Sequence, residues 1–160
     1  MTLARATQIF RAGDWPEREA SGCVTLAFDD RHRRRLRLRL DNDLGDFMLD
    51  LARAERLGDG DGLLLDDGRW VRVRAQAEDV MDIAAARQRD AIRIAWHLGN
   101  RHLPVQVLEG GALRLRYDHV IEHMVIDLGG AVSRKQDIFA PEPGAYDAAH
   151  VQDHGHSHDH

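Results

Sequence analysis

The chain has a single cysteine, Cys23, in 160 residues, which excludes an internal disulfide framework. A lone thiol fits a reducing compartment. No apolar stretch approaches the roughly 18 residues a membrane-spanning helix needs, and the opening segment MTLARATQIFRAGDW holds no apolar run suited to a secretory signal. Aromatic residues make up only 6% of the chain and tyrosines number two, so the core is expected to be thin. Positive charge is not in excess: a net charge of −5 argues against a general binder of nucleic acid or anionic membrane. Catalytic signatures are missing as well, with no G-x-S-x-G elbow, no P-loop and no dinucleotide fingerprint. Cys23 falls in a predicted strand, Cys23–Phe28, without an evident base beside it, so no nucleophile is expected there. A cytoplasmic protein of one or two small domains, not an enzyme, fits these absences.

What the chain has in abundance is histidine at its end. Five of its ten histidines, His150, His154, His156, His158 and His160, lie in the last eleven residues. Neutral imidazole suits borderline metals such as nickel, copper and zinc, and a histidine at every second position offers many overlapping ways to capture one ion. Gly, Ser and Asp interrupt the run, which sets it apart from an expression tag.

The pattern upstream divides into three zones and predicts an α+β protein. Residues 1–74 read as a small β-rich domain. Its clearest strand is Arg33–Leu40, with Leu36, Leu38 and Leu40 on one face and Arg35, Arg37 and Arg39 on the other. That arginine face is expected to be a solvated surface rather than a nucleic-acid patch. The Asp-Gly clusters after it lack the spacing of a calcium loop and read as turns. Residues 75–138 change period. A strand over 77–83 precedes a helix from Ala84 to Gly99, with Ala91, Ile94, Ala95 and Leu98 as its apolar stripe and an end near His97 or Leu98. Two short strands, Pro104–Leu108 and Leu113–Tyr117, flank a glycine turn. Asp118 then caps a second helix with the stripe Val120, Ile121, Met124, Val125 and Leu128, and Ala131–Gln136 closes as a strand. The order βαββαβ is the ferredoxin-like arrangement. Residues 139–160, with Pro141, Pro143 and Gly144, are expected to be a disordered tail.

Three histidines in the second zone are candidate metal ligands. His102 lies on a loop just past the first helix, and His119 and His123 stand at i, i+4 on the second, where one helix face can offer both rings to one ion. His97, near a helix end, reads as a packing residue. His119–Val–Ile–Glu122–His123 also matches the H-x-x-E-H signature of a zinc peptidase. That chemistry needs a third protein ligand and a closed cavity, and only 37 residues follow His123, with Glu142 their sole glutamate.

The stretches Trp96–His–Leu–Gly–Asn–Arg–His102–Leu–Pro–Val–Gln106, Arg116–Tyr–Asp–His119–Val–Ile and Phe139–Ala–Pro–Glu–Pro–Gly–Ala–Tyr146, followed by a His-rich end, resemble the UreE family of urease accessory nickel metallochaperones. The resemblance covers residues 78–160; the first domain matches in length and β-rich character. It implies a homodimer with an amino-terminal peptide-binding domain and a ferredoxin-like metal-binding domain, which carries Ni(II) to the urease accessory GTPase and urease apoprotein complex. The last histidine of the family's G-N-R-H motif falls on His102, at the dimer interface. Tail histidines complete that site in some members, which makes His150, His154 and His156 the leading candidates here. Asp118 and His119 match the pair opening the family's second helix, whose histidine is a peripheral ligand in some members. The chain departs from some members by Tyr117 in place of a histidine and Ala85 in place of a cysteine, losses for which His123 can compensate. A storage or buffering protein for nickel or zinc is the alternative reading, and Zn(II) or Cu(II) is expected to bind in vitro.

Overall fold

The computed structural model describes residues 2–144. The chain divides into two compact units between Glu78 and Asp79. Among the described residues no helix is long and apolar enough to cross a membrane.

Unit 1 contains six strands: β1 (Arg5–Phe10), β2 (Ala20–Leu26), β3 (His32–Arg39), β4 (Asp46–Arg56), β5 (Gly62–Leu65) and β6 (Trp70–Ala75). Their order is β2-β6-β5-β1-β4-β3. The alternation in β3 does what its period requires: Leu38 is buried and pairs with Phe47 of β4, Leu36 pairs with Leu49, and the arginines between them face solvent. Leu38, Phe47, Leu49, Leu63, Val71 and Val73 lie in one apolar cluster, and each such side chain contributes roughly 1.5–3 kcal/mol by leaving water. The arginine face is a ladder of ion pairs. Arg35 meets Asp50 at 2.7 Å, Arg37 meets Asp46 at 2.7 Å and Arg39 meets Asp43 at 2.9 Å. Asp43 and Asn42 form the β3–β4 turn with φ of 57° and 62°, a left-handed conformation that Asp and Asn tolerate.

Unit 2 holds most of β7 (Ala77–Ala85), then α1 (Gln88–Asn100), β8 (Gln106–Val107), β9 (Leu113–Arg116), α2 (His119–Asp127) and β10 (Gly130–Ile138). The sheet order β10-β7-β9-β8 is that of a ferredoxin-like βαββαβ unit. Both helices lie on one face, where Ile94 and Leu98 of α1 and Ile121 and Val125 of α2 join Met81 and Leu115 of the sheet. Gly130 is needed between them, because a Cβ there would sit 2.6 Å from Val125 and 2.9 Å from Ile94. Away from that core, Arg114 is buried and makes two bonds to Asp82 at 2.6 and 2.9 Å, an ion pair with Asp137 at 2.9 Å, and a bond to the Ile138 carbonyl at 3.0 Å.

Four details differ from the sequence reading. The first helix begins at Gln88 rather than Ala84, because residues 84 and 85 finish strand β7. It also runs through Gly99 to Asn100, and Ala95, beside the buried Ile94–Leu98 stripe, is exposed. Val120 lies off the core stripe of α2 and is exposed. Finally, the first residues expected to be tail are packed: Phe139 is fully buried, Ala140 bonds to Gln106 of β8 and Glu142 bonds to Val105 just ahead of it.

Candidate metal centre

The chain path brings several candidate ligands to one end of unit 2. Strands β7 and β8 each pair antiparallel with β9, so they run parallel to one another. Helix α1 therefore returns to the end where β7 starts, and β9 delivers the chain to that same end before α2. His102, between α1 and β8, and His119, the first residue of α2, belong to this end. The Tyr117 N–H donates to the Asp79 carbonyl at 2.9 Å, which ties the start of α2 to the start of β7.

His102 is exposed and has a left-handed backbone, with φ of 57°. Its N–H donates to the Gly99 carbonyl at 3.0 Å, and the Leu103 N–H donates to the Leu98 carbonyl at 3.4 Å. Those two bonds make a Schellman cap in which His102 occupies the position that usually takes glycine. Leu98 is buried and Leu103 packs against the same apolar cluster, which supplies the hydrophobic contact of that motif. Gly99, the residue with the greatest freedom for that conformation, lies inside the helix instead. The Leu98/Leu103 pair was the available signal for the true cap, five residues apart as the motif demands. His97 is half-buried with its ring edge-on to Trp96 at 5.0 Å.

The chain after β10 returns to this end as a strap. The Ala140 N–H donates to Gln106 Oε1 at 2.9 Å, and the Glu142 N–H donates to the Val105 carbonyl at 2.8 Å. The strap thus runs from residue 106 toward His102. The five tail histidines, His150, His154, His156, His158 and His160, lie outside the described residues.

Helix α2 presents His119 and His123, both exposed. Asp118 caps it through bonds from the N–H groups of Val120 (2.8 Å) and Ile121 (3.1 Å). Between the two histidines, Glu122 accepts a hydrogen bond from the Tyr117 hydroxyl, which pushes the phenol above its ordinary value. The Tyr117 ring lies 3.7 Å below the Arg134 guanidinium, and Arg134 binds both oxygens of Asp79 at 3.0 and 2.8 Å. That bond holds the Asp79 carboxyl below the usual carboxylate range. Glu122 is therefore engaged with Tyr117 rather than poised over a metal-bound water, and the peptidase reading has no support in this geometry. Among the described residues, no three His, Cys, Asp or Glu side chains are grouped so as to hold a metal ion.

Comparison with known proteins agrees with this architecture. Residues 5–76 match the model of the amino-terminal domain of the UreE urease accessory protein, and residues 78–160 match that of its carboxy-terminal domain. The chain belongs to the UreE family. It is 48% identical over 153 residues to the urease accessory protein UreE of a Bradyrhizobium species, covering 95% of this chain and 73% of that protein. The UreE proteins of a Chelativorans species (41% over 162 residues) and of Ruegeria pomeroyi (40% over 158 residues) are covered to 99% and 100% of their lengths, in each case by 99% of this chain. UreE is by name a family of accessory proteins, not of enzymes.

Proposed function

We propose that the protein is a nickel metallochaperone of urease maturation, which binds Ni(II) between two copies of the chain and hands it to the urease accessory GTPase and urease apoprotein. Family membership supports the accessory role. The observation that supports the metal site is the strap: Glu142 is bonded to Val105, three residues along the chain from His102. A single exposed imidazole fills one of the four or more positions a nickel ion offers. His102 of the partner subunit supplies a second, and a tail histidine, with His150, His154 and His156 the leading candidates, completes the set.

The face that brings two copies together is the outer side of α1. Ile92 and Trp96 stand at i, i+4 on it and are 61% and 62% exposed. They lie on the helix that ends at the His102 cap, so an isologous pairing through them places both copies of His102 near the two-fold axis. Imidazoles shared between two chains and a tail allow ligand-by-ligand exchange, which a carrier needs and a buried thiolate cage would forbid. Unit 1 serves in this reading as the partner-binding domain.

The test is a Ni(II) titration by calorimetry, coupled to mass measurement of the assembly, on the full chain, on His102→Ala and on a chain ending at Tyr146. One tight ion per dimer, lost in His102→Ala and only weakened by truncation, is the expected result. Several weak ions that vanish with the tail and ignore His102 would reduce the protein to a metal buffer.

A further inference from the structure

One stretch of unit 2 is basic and short of acids. Residues 83–108 hold four arginines and a single acid, Asp90, in a chain whose net charge is −5. Asp90 is buried and taken by Arg87 at 3.0 Å. Arg89 and Arg93 of α1 are exposed and make no ion pair among the described residues, and the same holds for Arg101 at the helix end. We propose that this arginine stripe of α1 is a docking surface for an acidic, carboxylate-rich segment of a partner protein. The inference goes beyond the carrier reading, since it needs neither a metal ligand nor the pairing of two copies.

Helix periodicity gathers the charge. Arg89, Arg93 and Asn100 stand at i, i+4 and i+11, so they follow one line along α1, on one flank of the Ile92/Trp96 pair. The placement works against the helix itself. Like charges four residues apart repel, and Arg89 in the first turn opposes the helix dipole. Unit 1 shows the alternative, because Arg35, Arg37 and Arg39 of β3 each meet an aspartate. On α1 the fold supplies no such partner, and the charge is left facing outward. A planar guanidinium takes a carboxylate through two parallel bonds, so a row of them fits a segment that carries several carboxylates. An extended polyanion such as nucleic acid or an anionic membrane would meet the net negative charge of the whole chain. A short acidic segment meets only the local positive field, because salt screens charges further off than about 10 Å.

The test follows the fluorescence anisotropy of a labelled hexaglutamate peptide as the metal-free full chain is added. Binding is expected, and it should weaken several-fold as NaCl is raised. Arg89→Glu/Arg93→Glu should weaken it by about tenfold or more, a difference of at least about 1.4 kcal/mol. Circular dichroism should be unchanged, because both side chains are exposed. Arg89→Lys/Arg93→Lys keeps both charges and should lose only part of the affinity. Arg18→Glu/Arg74→Glu makes the same change in net charge at two exposed, unpaired arginines of unit 1, and should leave binding as it was. No binding, or an equal loss in both charge-reversed variants, would overturn the stripe as a docking surface. So would a lysine variant that falls as far as the glutamate one. A short single-stranded DNA of equal charge that binds as well as the peptide would overturn the choice of partner. Hexaglutamate that binds a chain ending at Tyr146 but not the full chain would assign the stripe to the chain's own acidic end, and would overturn that choice too.

Discussion

The N–H of His102 reaches the carbonyl of Gly99 at 3.0 Å only because His102 takes a left-handed backbone, the conformation glycine adopts without cost. A residue with a Cβ is disfavoured there by about 1–2 kcal/mol. The candidate ligand therefore sits where the fold by itself would select another residue, as strained positions at functional sites often do.

His102→Gly should raise the stability of the protein by about 0.5–1 kcal/mol, part of the relief being offset by the greater freedom of glycine in the unfolded chain. His102→Ala, which keeps a Cβ, should change it little. Both should lose the interface ion. Chemical denaturation of the metal-free proteins compares them, and a destabilised His102→Gly would show that the cap is not strained.

Glu142→Pro removes the N–H that holds the strap to Val105. One exposed hydrogen bond contributes about 1 kcal/mol, so the fold should persist. The tail's contribution to Ni(II) binding should drop several-fold, because the chain leading to it is no longer held at Val105. Titration of this variant against the chain ending at Tyr146 measures the difference. An unchanged tail contribution would mean the strap has no part in delivery.

Acidification should release the metal. Imidazole binds metal only when neutral, and its ordinary protonation lies near pH 6.5. With three imidazoles on the interface ion, affinity should fall by up to about a thousandfold per pH unit below about pH 6. Calorimetry at pH 7, 6 and 5 follows this, and full affinity retained at pH 5 would contradict an imidazole site.

Trp96→Glu should separate the dimer without unfolding the chain, since the side chain is exposed and outside the core. Sedimentation of the metal-free variant reads the mass directly. An intact dimer would move the interface to another face.

Arg114→Ala should cost about 3 kcal/mol at pH 7, because it removes the principal partner of a half-buried carboxylate. The Arg114 guanidinium holds the Asp82 carboxyl below its usual range. The stability it gives is therefore present above the unfolded value near 3.9 and is lost as pH falls through the lower folded value. The gap between wild type and variant should shrink in acid. Unfolding curves at pH 7 and pH 2.5 test the sign, and a gap that widens in acid would refute it.

The sequence made the middle of each element plain and several ends obscure. The Leu36–Leu38–Leu40 alternation had one solution as a strand, and Asp118 is the helix cap its chemistry suggests. Ala84 and Ala85 looked helical because alanine favours helices, but the pairing of Ile83 with Leu113 holds that stretch in β7. At the other end of α1, the Leu98/Leu103 contact decided the cap and overrode the preference of Gly99 for the left-handed position. The His119/His123 pair could be singled out from its i, i+4 spacing, and His102 only from the resemblance of its G-N-R-H motif. The engagement of Glu122 by Tyr117 could not, since it also depends on Arg134 and Asp79, residues distant in the chain. The ion-pair ladder beside the arginine strand was hidden for the same reason: Asp50 lies fifteen residues from Arg35.

The strap also bears on how this protein can be altered. Both of its anchoring bonds use main-chain N–H groups, of Ala140 and Glu142, so they ask little of the side chains at those positions beyond not being proline. Positions 140 and 142 are thus replaceable couplings: their side chains can be exchanged while the same two main-chain bonds keep the chain fastened at the entry to β8.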